Sequence, residues 1–252
     1  MTSTKAIFPD LTTKTVAITG GASGIGAAIV ASFHRQGANV VFFDIDKTAG
    51  EALAEDLGAN VKFKALDLTD LEALSDVFAQ AISDTGGFDV LVNNAAHDDR
   101  HDIDSVTPAY WRERLAVNLD HQFFSAQAVI PGMRQRRAGS IINMSSIAWR
   151  IGLARAPAYV ASKAAVEGLT HSLARELGEF GIRVNCLLPG HVRTQRQLDN
   201  WTTPEIEERI KSNQCLPDLI EPADIAEVVL MLASESSKAI TNQTIVVDAG
   251  WT

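Results

Sequence analysis

Short apolar runs rich in β-branched and aromatic residues recur along the chain, and between them apolar positions fall three and four apart. The short runs predict seven strands, at Thr15 to Thr19, Asn39 to Asp44, Val61 to Ala65, Val90 to Asn93, Ser140 to Met144, Arg183 to Leu188 and Thr244 to Asp248. Val40-Val41-Phe42-Phe43 and Val90-Leu91-Val92 show no polar alternation, as expected of strands covered on both faces. From Asp70 to Asp84, Leu71, Leu74, Val77, Phe78 and Ala81 make one helical stripe that should pack on the sheet. Tyr110 to Arg136 reads as a long helix, and Pro157 opens another that runs to the stop signal at Gly181. Strand alternating with helix over 1–252 predicts one α/β domain, a doubly wound parallel sheet flanked by helices. One long excursion, Arg193 to Pro217, separates the sixth strand from the next sheet-packing helix and is expected to act as a lid or substrate loop.

Composition narrows the partners. The chain has 252 residues, 46% of them hydrophobic, enough for a large core. A formal charge of -9 disfavours nucleic acid and anionic membrane, which attract basic surfaces, and Arg134, Arg136 and Arg137 read as a solvated helix end. Two cysteines, Cys186 and Cys215, are too few for a disulfide framework and lack metal-ligand spacing, so no metal is expected. Met1 to Asp10 lack a signal-peptide pattern and no run approaches the ~18 apolar residues of a membrane span, so a cytoplasmic location is expected.

The candidate chemistry has two centres. After the first strand comes Thr19-Gly20-Gly21-Ala22-Ser23-Gly24-Ile25-Gly26 and then a helical run. Strand, glycine loop, helix is the context in which backbone amides and a helix N-terminus receive a pyrophosphate. Asp44, 18 residues after Gly26 at the end of strand two, is placed to accept hydrogen bonds from ribose hydroxyls and to repel a 2′-phosphate. NAD is therefore expected over NADP, and Ser23 agrees, since no Arg or Lys stands in this part of the loop. The other reading of Asp44 is a cap for the turn before Asp46. The second centre is Tyr159 and Lys163, four apart on one helical face. An ammonium close to a phenol favours the phenolate, which would bring a group with pKa near 10 toward neutral pH.

These marks, with Asp67, Asn93-Asn94-Ala95, Asn118, Ser146 and Pro189-Gly190 in order, resemble the short-chain dehydrogenase/reductase family over essentially the whole chain. The resemblance implies a Rossmann-type fold, a homotetramer built on the helices from Tyr110 to Arg136 and from Pro157 to Phe180, and a catalytic quartet of Asn118, Ser146, Tyr159 and Lys163. Tyr159 would take the substrate hydroxyl proton while hydride leaves for the nicotinamide, Lys163 would support the phenolate and hold the nicotinamide ribose, Ser146 would hold the reacting oxygen, and Asn118 would anchor a relay water. Asp67 and Leu68 would flank the adenine, and Asn93 and Ala95 would line the cofactor, although Asn93 may instead brace neighbouring strands. Pro189, Gly190, Val192 and Thr194 would hold the nicotinamide amide. The chain departs from the family where Ala96 replaces the glycine of Asn-Asn-Ala-Gly and Asn242 that of Thr-Gly-Gln. Ser145 would serve the backbone, and no Gly-x-Ser-x-Gly elbow supports a serine nucleophile.

Local strings are similar to the branch of that family that oxidises aldose sugars at C1: His97-Asp98-Asp99-Arg100-His101, Ile147-Ala148-Trp149, Thr194-Gln195-Arg196-Gln197 and Asp248-Ala249-Gly250-Trp251. Carboxylates and amides suit sugar hydroxyls, and an indole face suits the C–H side of a pyranose. Asn94, Asp98, Trp149, His191 and Gln195, with Ser146 and Tyr159, are the expected substrate contacts. The bland readings stay open beside them: a solvated loop at His97, Asp99 and His101, a core position for Trp149, and a turn neighbour for His191. Other enzyme readings are a polyol, hydroxyacid or steroid dehydrogenase; outside enzymes, a dinucleotide-binding redox sensor.

Overall fold

The structure is a computed structural model that describes residues 5–252; residues 1–4, the start of the stretch read for a signal peptide, lie outside it. Seven strands form one sheet: β1 (Thr15–Thr19), β2 (Asn39–Asp44), β3 (Val61–Ala65), β4 (Val90–Asn93), β5 (Gly139–Met144), β6 (Ile182–Pro189) and β7 (Thr244–Val247). All pairings are parallel, in the order β3-β2-β1-β4-β5-β6-β7. The winding reverses between β1 and β4, which opens a crevice at the carboxyl ends of the strands. The helices are α1 (Gly24–Arg35), α2 (Lys47–Leu57), α3 (Leu71–Thr85), α4 (Pro108–Leu115), α5 (His121–Arg136), α6 (Pro157–Leu177), α7 (Gln195–Asn200), α8 (Pro204–Asn213) and α9 (Pro222–Ala233).

Both sheet faces are buried, which is why β2 shows no polar alternation. Val40 and Phe42 face a core shared with Ile29 and Phe33 of α1 and Ile225 and Val229 of α9. Val41 and Phe43 face the other core, where Phe43 stacks on Phe78 of α3 with ring centroids 4.3 Å apart. Polar caps start the helices: Asp46, Asp70, Thr107, Thr194 and Thr203 each accept from the amide three residues on. Each such cap contributes about 1 kcal/mol. Among the described residues no helix is long and apolar enough to cross a membrane.

Two expectations are corrected, at Tyr110 to Arg136 and at the end of β7. The stretch Tyr110 to Arg136 is not one helix, because a π-helical turn, Ala116–Asp120, separates α4 from α5. The Arg193 to Pro217 excursion carries α7 and α8 and is pinned at its base, where Val192 bridges Ile220 and Arg193 N donates to Ile220 O at 2.8 Å. β7 stops at Val247 because the Asp248 carboxylate turns back to accept from the amides of Gly250 and Thr252. Asn242 keeps the turn before β7: it adopts φ +61°, a conformation asparagine tolerates, and its Oδ1 lies 2.7 Å from His171 Nδ1.

Candidate active site

The glycine loop leaves β1 and turns under the end of β2. Gly20 N donates to Phe43 O at 2.7 Å, and Gly20 sits at φ +67° with its missing Cβ only 2.6 Å from Ala95 Cα. At Gly26 a Cβ would lie 1.8 Å from Gly20 O. Two closely packed backbones thus demand glycine, and Gly20→Ala is expected to destabilise the protein by about 1–3 kcal/mol, read as a lowered Tm. Ser23 precedes α1 with no capping bond from its side chain, Gly24 opens the helix, and Ile25 is half-buried. The open hydroxyl and the first amides of α1 make an anion-receiving end.

Asp44 does two jobs at once. Its Oδ2 accepts from Ala22 N at 2.9 Å and its Oδ1 from Asp46 N at 3.0 Å, so it holds the glycine loop and the turn into α2. A carboxylate has lone pairs left after these bonds. Farther along the same edge, Asp67 is exposed and accepts from Thr69 N and Oγ1, while Leu68 is buried. On the other side Pro189 ends β6, Gly190 N donates to Val247 O at 2.9 Å, and Val192 is buried beneath Thr194. The Thr194 methyl lies 3.2 Å from where a Gly24 side chain would begin. The cradle, the free helix end and the carboxylate at β2 together fit a dinucleotide.

The asparagines after β4 hold the frame. Asn93 is fully buried, and its Nδ2 donates to Asn143 Oδ1 at 2.9 Å and Gln122 O at 3.0 Å, so its side chain braces β4, β5 and α5. Its Oδ1 has no protein partner. Asn94 was expected at the substrate, yet its Nδ2 donates to Gly20 O at 2.8 Å and Thr19 O at 3.2 Å. It clamps the glycine loop from below. The Thr19 hydroxyl completes this joint by accepting from Asn94 N and Ala95 N. Ala96 is exposed, with its methyl against solvent.

Ser146 follows β5, Tyr159 and Lys163 stand one turn apart on α6, and Asn118 lies in the π-helical turn. Ser146 Oγ accepts from Ala148 N at 3.1 Å, and its hydroxyl favours the ionised form of the Tyr159 phenol. Lys163 is 1% exposed, donates to Met144 O at 2.8 Å, and has its Nζ 5.7 Å from the Tyr159 ring centroid. Ser145 Oγ donates to Lys163 O at 2.5 Å and so fixes α6 against β5, the backbone role expected of it. Asn118 is buried with its amide engaged at both atoms: Oδ1 accepts from His97 N at 2.8 Å, and Nδ2 donates to Arg114 O and His97 O. Both Nδ2 hydrogens are thus taken, while Oδ1 keeps one lone pair.

The electrostatics correct a further expectation. Burial pushes the Tyr159 phenol up to about 12, the Asp98 carboxylate adds to this, and the Ser146 hydroxyl and Arg100 oppose it. Burial takes Lys163 down to about 8. In the protein alone the pair thus holds a neutral phenol rather than a phenolate, because desolvation and Asp98 together outweigh Ser146 and Arg100. Fully buried His121 is held neutral, at about 3, first by burial and then by Lys163.

Of the expected substrate contacts, Asp98 acts electrostatically on the Tyr159 phenol, and burial lowers the pKa of His191, with Arg100 adding to this. Trp149 is half-buried against the cluster of Ile147, Val166, Cys186 and Leu188, and its Nε1 has no protein acceptor. Gln195 instead points outward, bonded to Asp199 one turn on. The inward amide is Gln197, whose Nε2 donates to Asp98 Oδ2 at 2.7 Å. Thr194-x-x-Gln197 is a helix-start pattern that could have shown which side of α7 faces in. Arg196 and Arg114, which enclose the loop after β4, left no such signal. Among the described residues no cluster of His, Cys, Asp and Glu is placed to hold a metal ion.

Comparison with known proteins agrees with this geometry. Residues 20–252 match a family model described as enoyl-(acyl carrier protein) reductase. The chain is 48% identical over 249 residues to a D-xylose 1-dehydrogenase of Caulobacter vibrioides, covering 98% of each chain. It is 44% identical over 254 residues to a probable galactose dehydrogenase, GalD, of Rhizobium meliloti, covering 99% of each. A solved structure titled short chain dehydrogenase/reductase family protein superposes with TM-score 0.87 at 34% identity, covering 96% of this chain and 98% of that one. With the glycine cradle, the Ser146, Tyr159 and Lys163 arrangement and full-length relatives of this identity, the chain belongs to the short-chain dehydrogenase/reductase family of oxidoreductases.

Proposed function

We propose that this enzyme oxidises an aldose, a pentose or hexose pyranose such as D-xylose, L-arabinose or D-galactose, at C1 to the lactone with NAD. Asp98, a half-buried carboxylate whose charge acts on the Tyr159 phenol, carries the reading, because it suits a ligand rich in hydroxyls. The identity to a D-xylose 1-dehydrogenase supports it. NAD, when bound, accepts the hydride. The chain's own part is to receive the hydroxyl proton at Tyr159 Oη, to hold the reacting oxygen by Ser146 Oγ, and to keep Lys163 protonated nearby with two N–H groups beyond its bond to Met144. Asp44 favours a ribose with both hydroxyls free. The exposed rings of Trp111 on α4 and Phe123 on α5 suit the paired-helix interface of a homotetramer.

A panel of aldoses, polyols, hydroxyacids and steroids, assayed for NADH and NADPH formation, tests the reading. Turnover of aldoses with NAD is expected to exceed that of the other alcohols. Good turnover of another alcohol with none of any aldose would reject the sugar assignment, and binding of NAD without any turnover would favour a redox sensor.

A further inference from the structure

The first turn of α5 sets a polar side chain into the interior. Gln122 is fully buried, at the head of a face that Ala126, Val129 and Met133 continue along the helix. Its Nε2 donates to Met144 O at 3.2 Å and to Asn118 O at 3.4 Å. Two carbonyl oxygens at one end of the amide settle which of its atoms is the nitrogen. Met144 stands one residue past the last β4–β5 pair, Asn93 with Asn143, at the strand end that leads into Ser145 and Ser146. Lys163 Nζ donates to the same Met144 O, at 2.8 Å. A carbonyl oxygen has two lone pairs, so the amide and the ammonium together fill it. Gln122 is itself held from β4, where Asn93 Nδ2 donates to its main-chain O at 3.0 Å.

We infer that Gln122 is a positioning residue for Lys163: by taking the second lone pair of Met144 O and tying that carbonyl to the π-helical turn, it limits the ammonium to one bond there and leaves its other two N–H groups for the reaction. The effect on turnover rests on the roles proposed for Tyr159 and Lys163; the placement of the ammonium does not. Loss of the Gln122 donors leaves Met144 O one donor short in the interior, where polar groups are almost always paired. The neighbouring donors are already engaged. Ser145 Oγ donates to Lys163 O, and the His121 ring lies toward Thr19, with Nε2 3.5 Å from its Oγ1. The donor that remains is the Lys163 ammonium, already on that oxygen. It would turn a second N–H toward the strand end and away from the Tyr159 ring, whose centroid now lies 5.7 Å from Nζ.

Gln122→Met keeps the length of the side chain and removes both donors, and Gln122→Leu is the second variant should the thioether pack badly. Crystal structures of wild type and variant need no turnover. In the variant, Lys163 Nζ should move toward the strand end by about 1 Å, a misplacement large enough to matter for catalysis. With whichever alcohol the wild type oxidises, kcat should fall about tenfold while KM for that alcohol stays within about twofold. Ser140→Ala is the control. It removes another buried bond of β5, from Ser140 Oγ to Leu232 O at 3.1 Å, near the opposite end of the strand. It should lower Tm and leave kcat unchanged. A Lys163 Nζ that keeps its place in the folded variant would overturn the proposal, as would a kcat loss no larger than that of Ser140→Ala. Wild-type protein that turns over no alcohol would count against the proposed reaction alone, and the position of Nζ would then decide for or against Gln122.

Discussion

Tyr159→Phe is expected to bind NAD with little change and to lose turnover by roughly 10²- to 10⁴-fold, the range that a positioned general base supplies. The substitution removes one oxygen and leaves the ring that lies beside Lys163. The sign of the pH dependence follows from the raised phenol. With the group held up to about 12 in the protein alone, the phenolate fraction grows tenfold per pH unit below the pKa, so alcohol oxidation should accelerate with rising pH and carbonyl reduction should slow. The Phe variant should lack this slope. Cofactor binding by fluorescence alongside initial rates over a pH series separates the two effects, and retained turnover would reject Tyr159 as the base.

The second large effect is expected at Asp44. Asp44→Ala should weaken use of NAD by about 10- to 100-fold, the worth of hydrogen bonds to a charged group, while removing the repulsion that a 2′-phosphate would meet. The ratio of kcat/KM for NADP over NAD should therefore rise. The ratio is the proper readout, because Asp44 also holds Ala22 and Asp46, and loss of those bonds loosens the loop for either dinucleotide. An unchanged ratio would exclude the ribose assignment.

The sheet was legible because each strand is covered on both faces, so its apolar runs are continuous and bounded by turn residues. Phe42 and Phe43 face opposite cores and neither can be polar. The glycine loop was legible for a similar reason, since the backbone contacts at Gly20 and Gly26 admit no Cβ. The direction of polar side chains was not. Asn94 and Gln195 are as polar as Gln197, yet Asn94 clamps a loop and Gln195 faces water. Nor was the π-helical turn visible, because Asn118 bends it by reaching His97, a residue 21 positions away.

By itself, then, the sequence determined the order and pairing class of the strands, the glycine cradle, and the presence of Ser146, Tyr159 and Lys163 at related spacings. These depend on periodicity and on steric limits that act over a few residues. Only the tertiary structure decided the protonation of the pair and the enclosure of the site. Burial raises the Tyr159 phenol and leaves it neutral in the protein alone, and Arg196 meets Asp98 across 98 residues of chain. Desolvation and long-range ion pairs depend on what the fold packs around a group, and no local pattern records that.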